Sequence, residues 1–253
     1  MGDWAGILLV FLVIVTPYVM AAEAKGKWPI RRSFYWVIGA ACIAFSITGS
    51  LAHEAHHNFV AHMKVHLLLG MAAPLFFVLA KPLTLLLRIL PVKTARGMMR
   101  LSKTRYVRLV SHPLVVALLN VGGLWLLYTT DLYMMMHTSM EIHYIVHVHI
   151  FLAGYLFTHA LLPVDFHPHR ASWIMRSVVL VLSIAAHNIL AKWLYANPPH
   201  MATVGQAEAG AQWMYYGGGA VELLIITLLC HEWYKGMQKE SGKKIEVSVS
   251  SSD

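Results

Sequence analysis

Residues 60–80 read VAHMKVHLLLGMAAPLFFVLA, and this stretch decides the fold of the chain. A helix needs about 20 predominantly apolar residues to cross the hydrocarbon core of a bilayer. The stretch has that length, and Lys64 is its one Lys or Arg. It also contains His62 and His66, and ionisable side chains inside membrane helices are costly and mark functional sites. The stretch therefore predicts a transmembrane helix that contains part of a functional site.

Six further stretches are comparably long and apolar, and they cover residues 4–24, 33–51, 113–132, 142–164, 173–196 and 212–234. The seven stretches fill the chain and leave no room for a second folded domain. We therefore predict an all-α integral membrane protein with seven transmembrane helices. Its single transmembrane domain covers residues 1–234, and a basic, disordered cytoplasmic tail covers residues 235–253.

The composition agrees with a membrane protein, since 58% of the 253 residues are hydrophobic and 13% are charged. A soluble domain has about 25% charged residues, so a soluble enzyme is excluded. The formal net charge of +8 must lie in loops between apolar segments. Such charge indicates contact with a lipid bilayer and not with nucleic acid. Cys42 and Cys230 are far apart, so the chain has neither a CxxC motif nor a disulfide framework.

The basic residues predict the orientation, because cytoplasmic loops of membrane proteins are enriched in Lys and Arg. Of the 20 Lys and Arg residues, 18 lie in alternate connections, namely 25–32, 81–112, 165–176 and the tail after Tyr234. The connections between them contain none. We therefore predict that the N-terminus is outside and that the C-terminus is cytoplasmic.

Two histidine pairs stand at the predicted outer ends of two helices. His62 and His66 begin the third helix, and His143 and His147 begin the fifth. The members of each pair are four residues apart, so they share one helical face. We predict one metal site between these two helices.

Copper is the predicted metal. Imidazole suits copper, zinc and iron, and thioether sulfur adds a preference for Cu(I). Met63 supplies sulfur between His62 and His66. Further candidate ligands are His53 and His57 in or beside the first outer loop, and His187 about nine residues below the outer end of the sixth helix.

Glu222 is the other polar residue that the sequence singles out. It lies about ten residues into the seventh helix, close to the middle of the bilayer. An ionisable group at that depth is a functional candidate. A structural hydrogen bond to another helix is the alternative.

A series of motifs extends along the chain. They are the run from Ala61 through His62, Met63, His66 and Gly70 to Pro74, then Lys81-Pro82, Ser111-His112-Pro113, the histidines of the fifth helix, and Leu162-Pro163-Val164-Asp165. With these motifs, the chain resembles the bacterial cytochrome c oxidase assembly factor family of CtaG type, over about residues 4–234.

The resemblance implies a copper-handling assembly factor for a terminal oxidase, multi-pass in the bacterial plasma membrane and without enzymatic activity. Its implied partners are terminal oxidase subunits and copper donor proteins. His62, Met63 and His66 match the motif of the family's third helix. His143 and His147 match the histidines of its fifth helix.

Two alternatives remain open. The first is a haem-binding electron-transfer protein, in which one imidazole from each helix, for instance His66 and His147, is an axial ligand. The second is a zinc-dependent intramembrane hydrolase, with three histidines on zinc and Glu54 or Glu222 as the base.

Overall fold

The computed structural model describes residues 2–24 and 26–250, with side chains over 4–24 and 26–238, and the elements in these ranges are all helical. They are α1 (Gly2–Ala24), α2 (Ile30–Ile47), α3 (Gly49–Glu54), α4 (Phe59–Ala80), α5 (Pro82–Ile89), α6 (Val92–Ser102), α7 (Arg105–Val110), α8 (Pro113–Thr129), α9 (Leu132–Thr138), α10 (Met140–Leu161), α11 (Trp173–Ala196) and α12 (204–250).

The predicted all-α membrane fold is confirmed. Among the described residues, six helices are long and apolar enough to cross a membrane, namely α1, α2, α4, α10, α11 and α12. Counting the bent pair of α8 and α9 as one span gives seven. The last helix begins at Val204 and not near residue 212. The predicted start was wrong because the first turns of this helix contain polar residues and do not form part of an apolar stretch.

A sharp bend separates α8 from α9. The two helices meet at 78°, and the chain is extended at Thr130 between them. The bend folds α9 over the end of the bundle, where Tyr133 and Met136 are buried. The ring centroids of Tyr133 and Phe59 are 5.7 Å apart. We call this end, which also contains the α3–α4 turn, the outer end, in line with the predicted orientation.

Three spans each contain one π-helical turn in the described part of the chain. These turns are Leu68–Ala72 in α4, Leu118–Gly122 in α8 and Trp213–Gly217 in α12. A π turn inserts one residue into the helical ladder and is frequent at functional sites. In α4, Pro74 follows the π turn, and its missing N–H removes the ordinary partner of the Gly70 carbonyl.

The freed Gly70 carbonyl lies against α10. A Cβ atom added at Gly154 would overlap the Gly70 carbonyl oxygen. A Cβ added at Gly70 would lie 2.7 Å from Cγ2 of Ile150. The two glycines therefore let α4 and α10 approach backbone to backbone, as small residues do between membrane helices.

At the opposite, inner end, a buried carboxylate joins two distant loops. Asp165 accepts hydrogen bonds from the backbone N–H groups of Leu83 (2.8 Å) and Thr84 (2.9 Å). It thereby caps the N-terminus of α5, where N–H groups lack helical partners. The cap fastens the loop after α10 to the loop after α4, so two of the basic connections meet at the same end.

The last helix continues through most of the segment that we predicted as a tail. The backbone of α12 is helical to Ser250, so residue 234 is not an element boundary. The disorder of residues 235–253 stays a prediction, and residues 251–253 lie outside the described residues.

A reporter fused after Asp253 tests the orientation. Because basic residues favour the cytoplasmic side, we expect a cytoplasmic readout there and an external readout for a reporter inserted after Asn197, between α11 and α12. An external signal from the Asp253 fusion would reverse the depth of every histidine.

The close approach of α4 and α10 predicts that Gly154→Ala is destabilising. The added methyl group would overlap the Gly70 carbonyl oxygen, and overpacking costs about 1–3 kcal/mol. A lower thermal unfolding temperature of the purified protein in detergent would show the effect. Gly219→Ala is the matched control, because its Cβ meets nothing within 4 Å; equal losses in both variants would contradict the prediction.

Candidate functional site

A cavity of about 150 Å³ opens at the outer end of the bundle. Its walls come from α2, α3, α4, α9, α10 and the turn after α3. Five of the lining side chains are histidines, namely His56, His62, His137, His143 and His147. We call these five residues the outer histidine cluster. Met136 and Met140 line the same cavity.

The rings of the cluster lie close together. The centroids of His143 and His147 are 4.2 Å apart, and those of His56 and His143 are 4.7 Å apart. His62 lies 6.2 Å from His137 and 6.4 Å from His147, again between ring centroids. The helical spacing of His143 and His147 brings their rings to one face, and the α8–α9 bend brings in His137.

Backbone contacts orient two of these rings. The Nδ1 atom of His147 lies 2.9 Å from the His143 carbonyl oxygen, and Nδ1 of His137 lies 2.8 Å from the Tyr133 carbonyl oxygen. A carbonyl only accepts hydrogen bonds, so each Nδ1 donates and the neutral ring keeps a free electron pair on Nε2. This is the arrangement that metal-binding histidines adopt.

A tyrosine positions the third ring. The hydroxyl of Tyr128 lies 3.0 Å from Nε2 of His62 and 3.8 Å from the sulfur of Met63. All three side chains are buried. The Tyr128 hydroxyl therefore links the cluster to the packed interior and fixes the His62 ring.

The outer loop keeps its central histidine neutral. Burial lowers the pKa of His56, and the neighbouring His137, His57 and His53 lower it further. A lower pKa leaves the imidazole unprotonated at pH 7. The unprotonated form is the one that binds metals.

The predicted residues fall into three groups. His62, His143 and His147 converge on the outer cavity. His53 and His57 are exposed beside it, with ring centroids 6.1 Å apart. The remaining candidates lie deeper or point elsewhere.

His62 and His66 do not line the same cavity, although they share a helical face. Four residues of helix advance about 6 Å along the axis, which is enough to carry His66 below the outer cavity. His66, His187 and Glu222 line a second cavity. Met63 is fully buried, and its sulfur faces the Tyr128 hydroxyl.

Two cluster members, His56 and His137, were absent from the predicted ligand set. Both lie outside the long apolar stretches, where a lone histidine resembles an ordinary interfacial residue. Their signal was spacing: His56 is six residues before His62, and His137 is six residues before His143. His56 lies on the turn before α4, and His137 lies at the end of α9, just before α10.

The cluster fits a small ion better than a large cofactor. Pockets for drug-sized ligands have volumes of roughly 300–1,000 Å³, and about 150 Å³ is too small for a porphyrin. Among the side chains that the structure describes, no three of the His, Cys, Asp or Glu type already have metal-ligand geometry. Binding would therefore need rotamer adjustments of the half-buried rings.

The comparison with protein families decides the identity. The model of the cytochrome c oxidase caa3 assembly factor family matches residues 9–236. The chain belongs to this family. Its membrane-spanning helices and its membership of this bacterial family make it a multi-pass protein of the plasma membrane.

The chain is also similar to proteins of mycobacteria. An uncharacterised protein of Mycobacterium bovis (strain ATCC BAA-935 / AF2122/97) is 29% identical over 239 residues, which cover 84% of this chain and 36% of the relative. An uncharacterised protein of Mycobacterium leprae (strain TN) is 27% identical over 183 residues, which cover 68% of this chain and 27% of the relative. The chain thus spans about a third of these relatives. No solved structure matches it.

Proposed function

We propose that this protein binds copper at the outer histidine cluster and passes it to a subunit of a cytochrome c oxidase, without catalysing a reaction. Its immediate donors would be copper-carrying proteins outside the membrane. The observation that carries the proposal is the convergence of five histidines on one small cavity at the predicted outer end.

The chemistry of the cavity supports copper over zinc. Imidazole suits both metals, whereas thioether sulfur favours Cu(I). Met136 and Met140 line the cavity with the histidines, and Met140 is 60% exposed. Glu54 is exposed and does not line the cavity. The cavity therefore lacks the adjacent base that a zinc hydrolase would use.

The openness of the cluster suits transfer. His137, His143 and His147 are half-buried and not sealed in the core. A metal that must leave again needs few ligands and an accessible path. The family's role in oxidase assembly indicates that the recipient is an oxidase subunit. The cavity is the place where the copper ion would be bound before transfer.

Replacing both His143 and His147 by Ala tests the proposal. We expect the double variant to lose its outer copper ion, and cells that produce it to lose oxidase activity by at least tenfold, because two closely spaced ligands are removed. Metal analysis of the purified protein and respiration of an oxidase-dependent strain are the two measurements.

His149→Ala is the matched control for this experiment. His149 lies on the same helix but on another face, with Nε2 at 3.1 Å from the Leu119 carbonyl oxygen. The control should keep both copper and activity. Unchanged copper content in the double variant, at normal membrane levels of protein, would refute the outer site.

Tyr128→Phe tests the positioning of His62. The variant keeps the buried ring but removes the hydroxyl that lies 3.0 Å from Nε2 of His62. Loss of a residue that holds a metal-binding histidine in place typically costs about 10–100-fold in metal affinity. A competition titration with a chromophoric Cu(I) chelator would measure it, and an affinity equal to wild type would show that Tyr128 only packs.

A further inference from the structure

A second cavity lies deeper in the bundle and has a volume of about 30 Å³. A space of this size holds one water molecule or one ion. Among its lining residues are two histidines and a carboxylic acid, namely His66 from α4, His187 from α11 and Glu222 from α12. These three residues are 3%, 4% and 7% exposed.

The histidines of this cavity lack hydrogen-bond partners. Neither ring nitrogen of His66 or of His187 has a hydrogen bond, and all four atoms are buried. Most buried polar atoms in proteins are paired, because an unpaired one costs about 1–3 kcal/mol. Nδ1 of His187 has Glu222 nearby, whereas the other three nitrogens have no such neighbour, so the two buried rings indicate a bound ion or water molecule that would pair with one nitrogen of each.

The spacing of the rings suits a single ion. Their centroids are 6.4 Å apart and the rings are tilted by 33°. Bonds from imidazole nitrogen to a metal are about 2.0 Å long, so an ion shared by two rings needs nitrogens about 4 Å apart. Rings at this centroid distance reach that separation once side-chain rotation turns one nitrogen of each toward the other, because the described side chains do not already form a three-residue metal site.

Glu222 lies beside His187, in the position of a residue that holds a metal-binding histidine in place. Its Oε1 atom lies 3.1 Å from Nδ1 of His187, although the angle is not that of a hydrogen bond. A small rotation of either side chain would make Nδ1 donate to the carboxylate and leave Nε2 of His187 for the ion. Metal-binding histidines are commonly held by a carboxylate in this way.

The charge and the sulfur of the cavity select the ion. An isolated cation is very costly in the membrane interior, and one carboxylate balances one positive charge. Met71 also lines the cavity and offers thioether sulfur, which favours Cu(I). A monovalent copper ion thus matches both the donors and the single carboxylate.

The irregular helices are concentrated here. Met71 belongs to the π turn of α4, and Asn120, which also lines the cavity, belongs to the π turn of α8. The π turn of α12 ends at Gly217, and a Cβ on the next residue, Gly218, would lie 2.5 Å from Cε1 of His187. Two π turns thus line the cavity, and the third lies in the helix that carries Glu222.

The geometry points to a second copper site inside the membrane, in which His66 and His187 bind one Cu(I) ion and Glu222 balances its charge. The inference rests on the proposed function for the identity of the metal. The site is separate from the outer histidine cluster and lies deeper along α4. It would hold an ion that has entered through the outer cluster.

Cu(I) stoichiometry of the purified full chain tests this site. We would titrate the protein anaerobically with Cu(I) against a chromophoric chelator, in wild type, His66→Leu and the His143→Ala/His147→Ala variant. We expect two bound ions in wild type and one in each variant. Glu222→Gln should weaken one of the two sites about 10–100-fold.

His159→Leu is the matched control, because His159 is also buried and its Nε2 also lacks a partner, but it lines neither histidine cavity. This variant should still bind two ions. If His66→Leu fails to fold, judged by its thermal unfolding, His187→Gln repeats the test at the other ligand.

The outcomes separate the two proposals. One ion in wild type, lost in the His143→Ala/His147→Ala variant and kept in His66→Leu, would overturn the deep site and leave the outer site standing. One ion in wild type that is lost only in His66→Leu would overturn the outer site and leave the deep site standing. No bound Cu(I) in wild type would overturn both.

Discussion

The backbone contact between Gly70 and Gly154 sets the distance between the two helices that carry four of the seven histidines lining the two cavities. Because neither residue has a Cβ, the freed carbonyl of α4 lies directly against α10. The helices can then place His62 beside His147 near one end of the contact. Farther along the same helices, Gly70 and Gly154 themselves line the deep cavity. Both cavities thus depend on one close approach.

That approach depends in turn on an irregular helix. Pro74 cannot donate to the Gly70 carbonyl, and the π turn at Leu68–Ala72 accommodates the extra residue. The cost of the disrupted ladder is offset by the packing of two membrane helices at backbone distance. π turns also occur in α8 and α12, and these two helices complete the wall of the deep cavity.

The sequence predicted the spans well, because the bilayer imposes a length and an apolar composition that are visible along the chain. It also predicted that His143 and His147 share a face, since helical periodicity is local. It did not predict that His66 lines a different cavity from His62 and lies beside His187, because this arrangement depends on how α4 packs against α11. Nor did it reveal Asp165 as the cap of α5, which joins residues more than 80 positions apart.

The two cavities differ in the electrostatic environment that they offer a cation. The outer cavity is wide, lies at the bundle end and contains no carboxylate among its lining residues. An ion there keeps part of its hydration and exchanges readily. At the proposed deep site an ion would lose its hydration shell, and Glu222 would provide the compensating charge. The proposed deep site would therefore favour Cu(I) through its charge and soft ligands, whereas a divalent ion would remain under-compensated.

The inner end of the bundle opposes further passage of a cation. Along α11, His187, Ser183 and Leu180 line the deep cavity, and Arg176 follows on the same face one turn closer to the inner end. Arg176 is 2% exposed, and its Nη1 atom donates to the Leu161 carbonyl oxygen at 2.8 Å. Glu232 lies 3.5 Å from Nη1 of Arg176 but is shared with Arg170. A buried guanidinium below the cavity repels a second cation across a medium of low dielectric constant. If the proposed deep site holds an ion, that ion would therefore leave by the way it entered, toward the predicted outer end.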